Sequence, residues 1–356
     1  MNVLIDIGHP AHVHLFKNFA KTMQSKGHRT HFTVRDKEFE IELLEHERLT
    51  FTKLDKHYVS GCGRLFGWLK YNLTILKISL WFRPDFYLSH GSIYTLLSSF
   101  LLRKPNIVLE DTGNKEQVRI YRPFASVILT PAGFPYWYGE RQIFYNGVHE
   151  LAYLHPDYFI PDRSVLKGLG INEGEKFFIL RFVSWNATHD KGKKGLSQVQ
   201  KYELINALLD KGKVFISSES PLPPDISHLT FPLSSDRMHD ALAFAHLFIG
   251  EGVTMASEAA ILGTMSICIN TSYPVYADFE QKYRLICNFI SGNGVLGKVL
   301  ELIKDDNLKN KARTLSGKLI EDKINVTNFL VWLIENYPVT ITQTEIKDLF
   351  AKRISE

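Results

Sequence analysis

Cysteine is scarce in this 356-residue chain: Cys62, Cys268 and Cys287 are odd in number and widely spaced, and no Cys-x-x-Cys pair occurs. That excludes a disulfide framework and the usual paired-thiol zinc or redox sites, and it suits a reducing compartment. Charge of one sign is also lacking, because 42 Lys and Arg against 38 Asp and Glu leave 42 − 38 = +4, with the basic residues scattered along the chain. A long nucleic acid is therefore not the expected partner; a small positive bias suits phosphate-bearing molecules, an anionic membrane surface or simply a solvated face. The first apolar run, Val3 to Ile7, contains Asp6 and follows no basic leader. It reads as a buried strand, not a signal peptide or a transmembrane span, so a cytoplasmic protein is expected, with peripheral contact to the inner face of the membrane left open.

What is present is an ordinary globular balance of 45% hydrophobic, 12% aromatic and 22% charged residues, and the length corresponds to roughly two domains. Val3 to Ile7, the break at Gly8-His9-Pro10 and the helical spacing of Leu15, Phe16, Phe19, Ala20 and Met23 spell strand, turn, helix. Arg29 to Arg35 then makes a second strand, and the economical topology is a βαβ unit with a parallel sheet. Further strands are expected at Phe86 to Ser89, Asn106 to Leu109 and Val127 to Leu129, and a strongly apolar helix between Tyr58 and Trp81. That helix suits packing, but also contact with a membrane or a lipid-linked acceptor.

After the proline- and aromatic-rich stretch His155 to Asp162, the alternation starts afresh. Strands are expected at Phe177 to Phe182, Val214 to Ser218, Leu247 to Gly250 and Ser266 to Ile269, and helices at Val199 to Leu209 and Met255 to Leu262. The expected organisation is a first α/β domain over residues 1–160, a second over 161–322, and C-terminal helices over 323–356 that brace the first. Two such halves imply a ligand cleft at strand carboxyl ends.

Leu247 to Ile269 carries the most chemistry: a strand, the turn Gly250-Glu251-Gly252, a helix opening at Thr254, Glu258 within it, then Gly263 and a new strand. The glycines admit close approach of a ligand, and the free N–H groups of the helix start favour a phosphate. Glu258 is placed to accept hydrogen bonds from ribose hydroxyls, or only to complement the helix dipole.

These residues resemble a known group. Gly250-Glu251-Gly252 with Ser257-Glu258-Ala259-Ala260 and Gly263 is similar to the nucleotide-sugar motif of GT-B glycosyltransferases and of non-hydrolysing UDP-N-acetylglucosamine 2-epimerases, and the opening GHPAHVHLF points the same way. With the Trp185 to Ser197 segment, the whole chain resembles an uncharacterised prokaryotic domain-of-unknown-function family related to those enzymes. The resemblance implies a GT-B-like α/β fold of two Rossmann-like parallel-sheet domains facing a cleft. It also implies a metal-independent glycosyltransferase, in surface polysaccharide or glycoconjugate synthesis, that needs no cofactor beyond its nucleotide-sugar substrate. A UDP-sugar 2-epimerase-like enzyme and a non-catalytic nucleotide-sugar-binding protein are the alternatives. A glycan or lipid-linked acceptor and an oligomer are compatible with it.

The epimerases carry His-Gly-Asp-Thr after a first-domain strand; here His90-Gly91-Ser92-Ile93 lacks the acid. One strand later, Leu109-Glu110-Asp111-Thr112-Gly113 keeps their glutamate. Glu110 and Asp111 are the acid/base candidates, since adjacent carboxylates at a strand end can be driven to different pKa values, and a capping role before Thr112-Gly113 is the alternative. His12 is a candidate general base, and Gly8 and His14 belong to the sugar site that the resemblance implies. His12 and His14 have no acid or cysteine nearby to complete a ligand set, so no metal is expected. Arg181, Ser184, His189 and Lys194 form a candidate diphosphate loop with Gly250, Glu251, Gly252, Thr254 and Glu258, a plain solvated loop being the alternative.

Overall fold

The computed structural model describes residues 1–36, 39–56, 61–183, 195–270 and 274–338. The chain forms two compact units, one of Met1–Tyr153 with the stretch from Ile324, the other of Leu154–Lys323. In the first, seven strands are β1 (Asn2–Ile7), β2 (Arg29–Asp36), β3 (Phe51–Lys56), β4 (Phe86–His90), β5 (Asn106–Leu109), β6 (Val127–Pro131) and β7 (Gln142–Tyr145). They pair in the order β3-β2-β1-β4-β5-β6-β7, all parallel. Parallel neighbours require crossovers that cover both faces of a sheet, which is why Val3, Leu4, Ile5 and Ile7 are all fully buried, with the buried Asp6 as the one polar residue among them.

The crossover after β1 is the helix Pro10–Ser25, which starts a turn earlier than the apolar spacing suggests because Pro10 is pre-set for a first helical position and the His9 ring caps Ala11 N–H. His12 and His14 therefore lie inside this helix. Its apolar face, including Val13, Phe16, Phe19 and Met23, is buried, and complete burial of each large side chain contributes about 1.5–3 kcal/mol. The helix Val326–Glu335 also belongs to this unit and packs on Pro10–Ser25. Asn18 Nδ2 and Thr327 Oγ1 both donate to Ala152 O, and Lys26 pairs with Glu335 at 2.7 Å.

The second unit contains β8 (Phe177–Phe182), β9 (Lys213–Ser218), β10 (Leu247–Gly250), β11 (Ser266–Ile269) and β12 (Ile286–Phe289), parallel in the order β12-β11-β10-β8-β9. In each sheet the winding direction reverses at one place: between β1 and β4 in the first, between β8 and β10 in the second. Loops leaving the two central strands there go to opposite faces and open a crevice at the strand carboxyl ends. Gly8 to His12 and His90 to Ser92 flank the first crevice; Arg181 to Val183 and Gly250 to Thr254 flank the second.

Candidate active site

At the carboxyl end of β5 the two adjacent acids part company. Glu110 is 1% exposed and turns inward: its Oε1 accepts from Thr112 N at 2.7 Å, Thr112 Oγ1 at 2.7 Å and Gly113 N at 2.8 Å, and its Oε2 accepts from Tyr121 Oη at 2.5 Å. It closes the turn in which Gly113 takes φ +68°, a conformation open to glycine. Its charge, after burial itself, also raises the Tyr121 phenol and pushes that of Tyr138 up to about 12.

Asp111 points the other way, between two imidazoles. His90 Nε2 donates to Asp111 Oδ1 at 2.9 Å, and His149 Nδ1 meets Oδ2 at 3.1 Å. Burial works against the carboxylate, yet His149 and His90 outweigh it and hold Asp111 well below the usual range. Burial likewise opposes charge on His90, but the Asp111 hydrogen bond and negative charge win and raise its pKa. A carboxylate can only accept, so His149 bears its proton on Nδ1 when neutral, and Nε2 carries the lone pair. That Nε2 is buried and has no hydrogen-bond partner among the described residues. The Tyr145 ring stacks on His149 at 6.2 Å and holds its plane.

His12 packs against His90 with ring centroids 4.5 Å apart and the planes tilted by 38°. Burial, then the positive neighbours His90, His9 and Arg35, take its pKa well below the ordinary value, so it is neutral at pH 7. Gly8 N donates to His12 Nδ1 at 3.3 Å, which leaves the proton on Nε2 and makes His12 a hydrogen-bond donor toward a ligand. Gly8 itself is needed for space, since a Cβ there would strike the Arg35 guanidinium. That guanidinium donates to Ile7 O at 2.8 Å and to Asp6 Oδ2 at 3.2 Å, while Asp6 also accepts from Thr33 Oγ1 at 2.7 Å and Ser92 Oγ at 2.6 Å. A carboxylate thus sits beside Ser92, but it is 1% exposed and committed to three donors. His14 packs its ring on Tyr153 at 5.5 Å.

In the second unit the helix Val253–Ile261 opens at Gly252, and Thr254 in its first turn is exposed. Free N–H groups and the helix dipole give this end the means to hold an anion. Glu251 is 1% exposed and does not face a ligand: it accepts from Val183 N at 2.8 Å and Leu196 N at 2.7 Å, tying together the two flanks of the segment between them. Gly250 is explained by packing, because a Cβ would fall 2.5 Å from Phe248 Cζ and 3.1 Å from Arg181 Cβ. Arg181 donates to Ser217 Oγ and Glu219 Oε1, both at 2.9 Å. Glu258, 6% exposed, accepts from His239 Nε2 at 3.1 Å. Ser184, His189 and Lys194 lie outside the described residues.

The family model described as "Protein of unknown function (DUF354)" matches residues 1–326. The chain belongs to the DUF354 family. No curated protein matches its sequence. Solved structures with the same fold include the UDP-GlcNAc 2-epimerase from Neisseria meningitidis bound to UDP-GlcNAc, at TM-score 0.68 and 11% identity over 94% of this chain and 100% of that one. The S. aureus MnaA–UDP co-structure matches at TM-score 0.62 and 12% identity over 96% and 100%. Spinosyn rhamnosyltransferase SpnG with spinosyn aglycone matches at 0.59 and 14% over 94% and 100%. At these identities the likeness establishes the fold: this DUF354 chain has the two parallel-sheet α/β domains of GT-B glycosyltransferases and these epimerases.

Of the residues singled out in the sequence of the first unit, the fold gathers Asp111 and His12 into one cluster and turns Glu110 away from it. His90 and His149 complete that cluster and were not among the expected site residues. His90 stood in a quoted motif, but His149 had no local signal. The ligand atoms of His90, Asp111 and His149 lie within 4.8 Å of one another, so these three, rather than His12 and His14, are the described residues able to hold a divalent ion.

Proposed function

We propose that this protein is a nucleotide-sugar-dependent glycosyltransferase of the GT-B type. The observation that carries the reading is Asp111 bridging His90 and His149 beside the reversal point of a parallel sheet, with a lone pair left on His149 Nε2. Solved structures of the same fold hold UDP or UDP-GlcNAc, or act as a rhamnosyltransferase, which supports a nucleotide sugar as donor.

In this mechanism the open first turn at Gly252 to Thr254 binds the diphosphate, and Glu258, oriented by His239, takes the ribose hydroxyls. An acceptor hydroxyl gives its proton to His149 Nε2 as its oxygen bonds to the anomeric carbon. The bond from that carbon to the diphosphate oxygen breaks, and the nucleoside diphosphate leaves with the electron pair. Asp111 orients His149 and offsets the imidazolium charge that forms on it, and His12 Nε2–H donates to a ligand oxygen. The acceptor is a glycan or a lipid-linked saccharide.

Nucleoside diphosphate release from a panel of donors and acceptors tests this. His149→Gln should lower kcat about 10²–10⁴-fold while nucleotide affinity stays unchanged. Exchange of the sugar C2 proton with solvent, without any acceptor, would instead assign 2-epimerisation. Unaltered turnover in His149→Gln would remove the base assignment.

A further inference from the structure

The helix Gly61–Phe82 is apolar on both its buried and its exposed face. Its buried face carries Tyr71, Ile75, Ile78 and Phe82, all in the core, with Asn72 and Ser79 among them donating to the helix's own carbonyls, Asn72 Nδ2 to Trp68 O and Ser79 Oγ to Ile75 O. Its outer face carries Phe66, Leu69, Leu73, Leu80 and Trp81, each between 45% and 66% exposed. At about 100° per residue these five fall within roughly 120° of arc, with Lys70 and Lys77 inside the same arc, and at ~1.5 Å per residue the stripe runs about 22 Å. A helix that packs on one side only has a polar outer face, and an exposed apolar stripe of this length marks a surface that something covers.

Charge says what covers it. Gly61–Phe82 contains no acidic residue, and from Gly61 to Leu109 six Lys or Arg stand against one acid, Asp85. Asp85 is already engaged, by Asn2 N at 2.9 Å and Lys104 at 3.3 Å. The surface continues over the neighbouring helix Leu96–Leu101, where Phe100 and Leu101 are 65% and 54% exposed. Phe100 meets Phe124 edge-on at 5.7 Å, next to Arg122 and Pro123 on the rim of a recess of about 870 Å³ whose other charged lining residues are Lys115, Arg119, Arg141 and one acid, Glu140. No helix among the described residues is long and apolar enough to cross a membrane.

We propose that this face of the first unit docks flat on an anionic lipid bilayer. The leucines and Trp81 enter the interface between headgroups and acyl chains, and Lys70 and Lys77 meet the lipid phosphates. A helix face of apolar residues and lysines with no acid on that helix fits a bilayer better than a second copy of the chain, which would set lysine against lysine across a two-fold axis. The surface does not depend on the donor assignment, because docking is read without turnover.

The test is co-sedimentation of the full chain with vesicles of phosphatidylcholine, alone or mixed with phosphatidylglycerol. Binding to the mixed vesicles should be at least about ten-fold tighter and should weaken in high salt. Leu73→Glu with Trp81→Glu should lower it more than about ten-fold, while the thermal midpoint holds because both side chains are exposed. Replacing Lys70 and Lys77 by Gln should cost about five-fold per lysine and keep the residual apolar binding. Equal binding to neutral and anionic vesicles, or retention of binding by the Leu73/Trp81 variant, overturns the proposal. So does an absence of vesicle binding together with a concentration-dependent dimer that Trp81→Glu dissolves.

Discussion

His12, His90 and Asp111 give the molecule opposing pH responses that single substitutions separate. The pKa of His12 is depressed in the folded chain, so below about pH 6.5 the unfolded chain takes up the proton first. The stability that His12 contributes is present above that pH and is lost as pH falls toward the folded value. His90 runs the other way: its raised pKa makes its pair with Asp111 fully stabilising below about 6.5 and progressively lost as pH rises through the folded value. His12→Asn should therefore flatten the acid-side decline of the urea midpoint, and Asp111→Asn the decline on the alkaline side. A profile that neither variant changes would mean that the cluster does not titrate in this way. The cluster was only half legible in the sequence. Asp111 was visible as an acid after a strand, but which of Glu110 and Asp111 faces the crevice depends on where Tyr121 and the imidazoles lie. His149 is 38 positions from Asp111, and only the β5, β6 and β7 succession brings them together.

Among the elements, strands buried on both faces announced themselves as short apolar runs: Phe177–Phe182, Leu247–Gly250 and Ser266–Ile269 are read with their observed bounds. Three strands gave no such signal, β3 (FTKLDK), β7 (QIFY) and β12 (ICNF), and each is an edge of its sheet. An edge strand has a neighbour on one side only and tolerates polar residues, so its pattern fades into that of a loop. The same level of structure gives Gly250 its meaning. Its Cβ position is filled by Phe248 and Arg181, so Gly250→Ala should destabilise the second unit by about 1–3 kcal/mol through overpacking, read as a lower urea midpoint. If Gly250→Ala instead leaves stability intact but weakens nucleotide binding, the glycine serves ligand approach and the packing explanation fails.

For the whole molecule, two readings of the first-unit cluster make different demands. As a general base, His149 oriented by Asp111, it needs no ion, so turnover should survive exhaustive chelation. Loss of turnover on chelation with recovery on adding Zn²⁺ would reassign His90, Asp111 and His149 as metal ligands. The central claim concerns the second unit, and a thermal-shift panel of UDP-, GDP-, dTDP-, CMP- and ADP-sugars with the free nucleotides tests it most directly. A donor at about 100 times its dissociation constant should stabilise the fold by about 2.7 kcal/mol, with the shift confined to nucleotides of one base. No shift from any of them at millimolar concentration would contradict a donor site at Gly252 to Glu258.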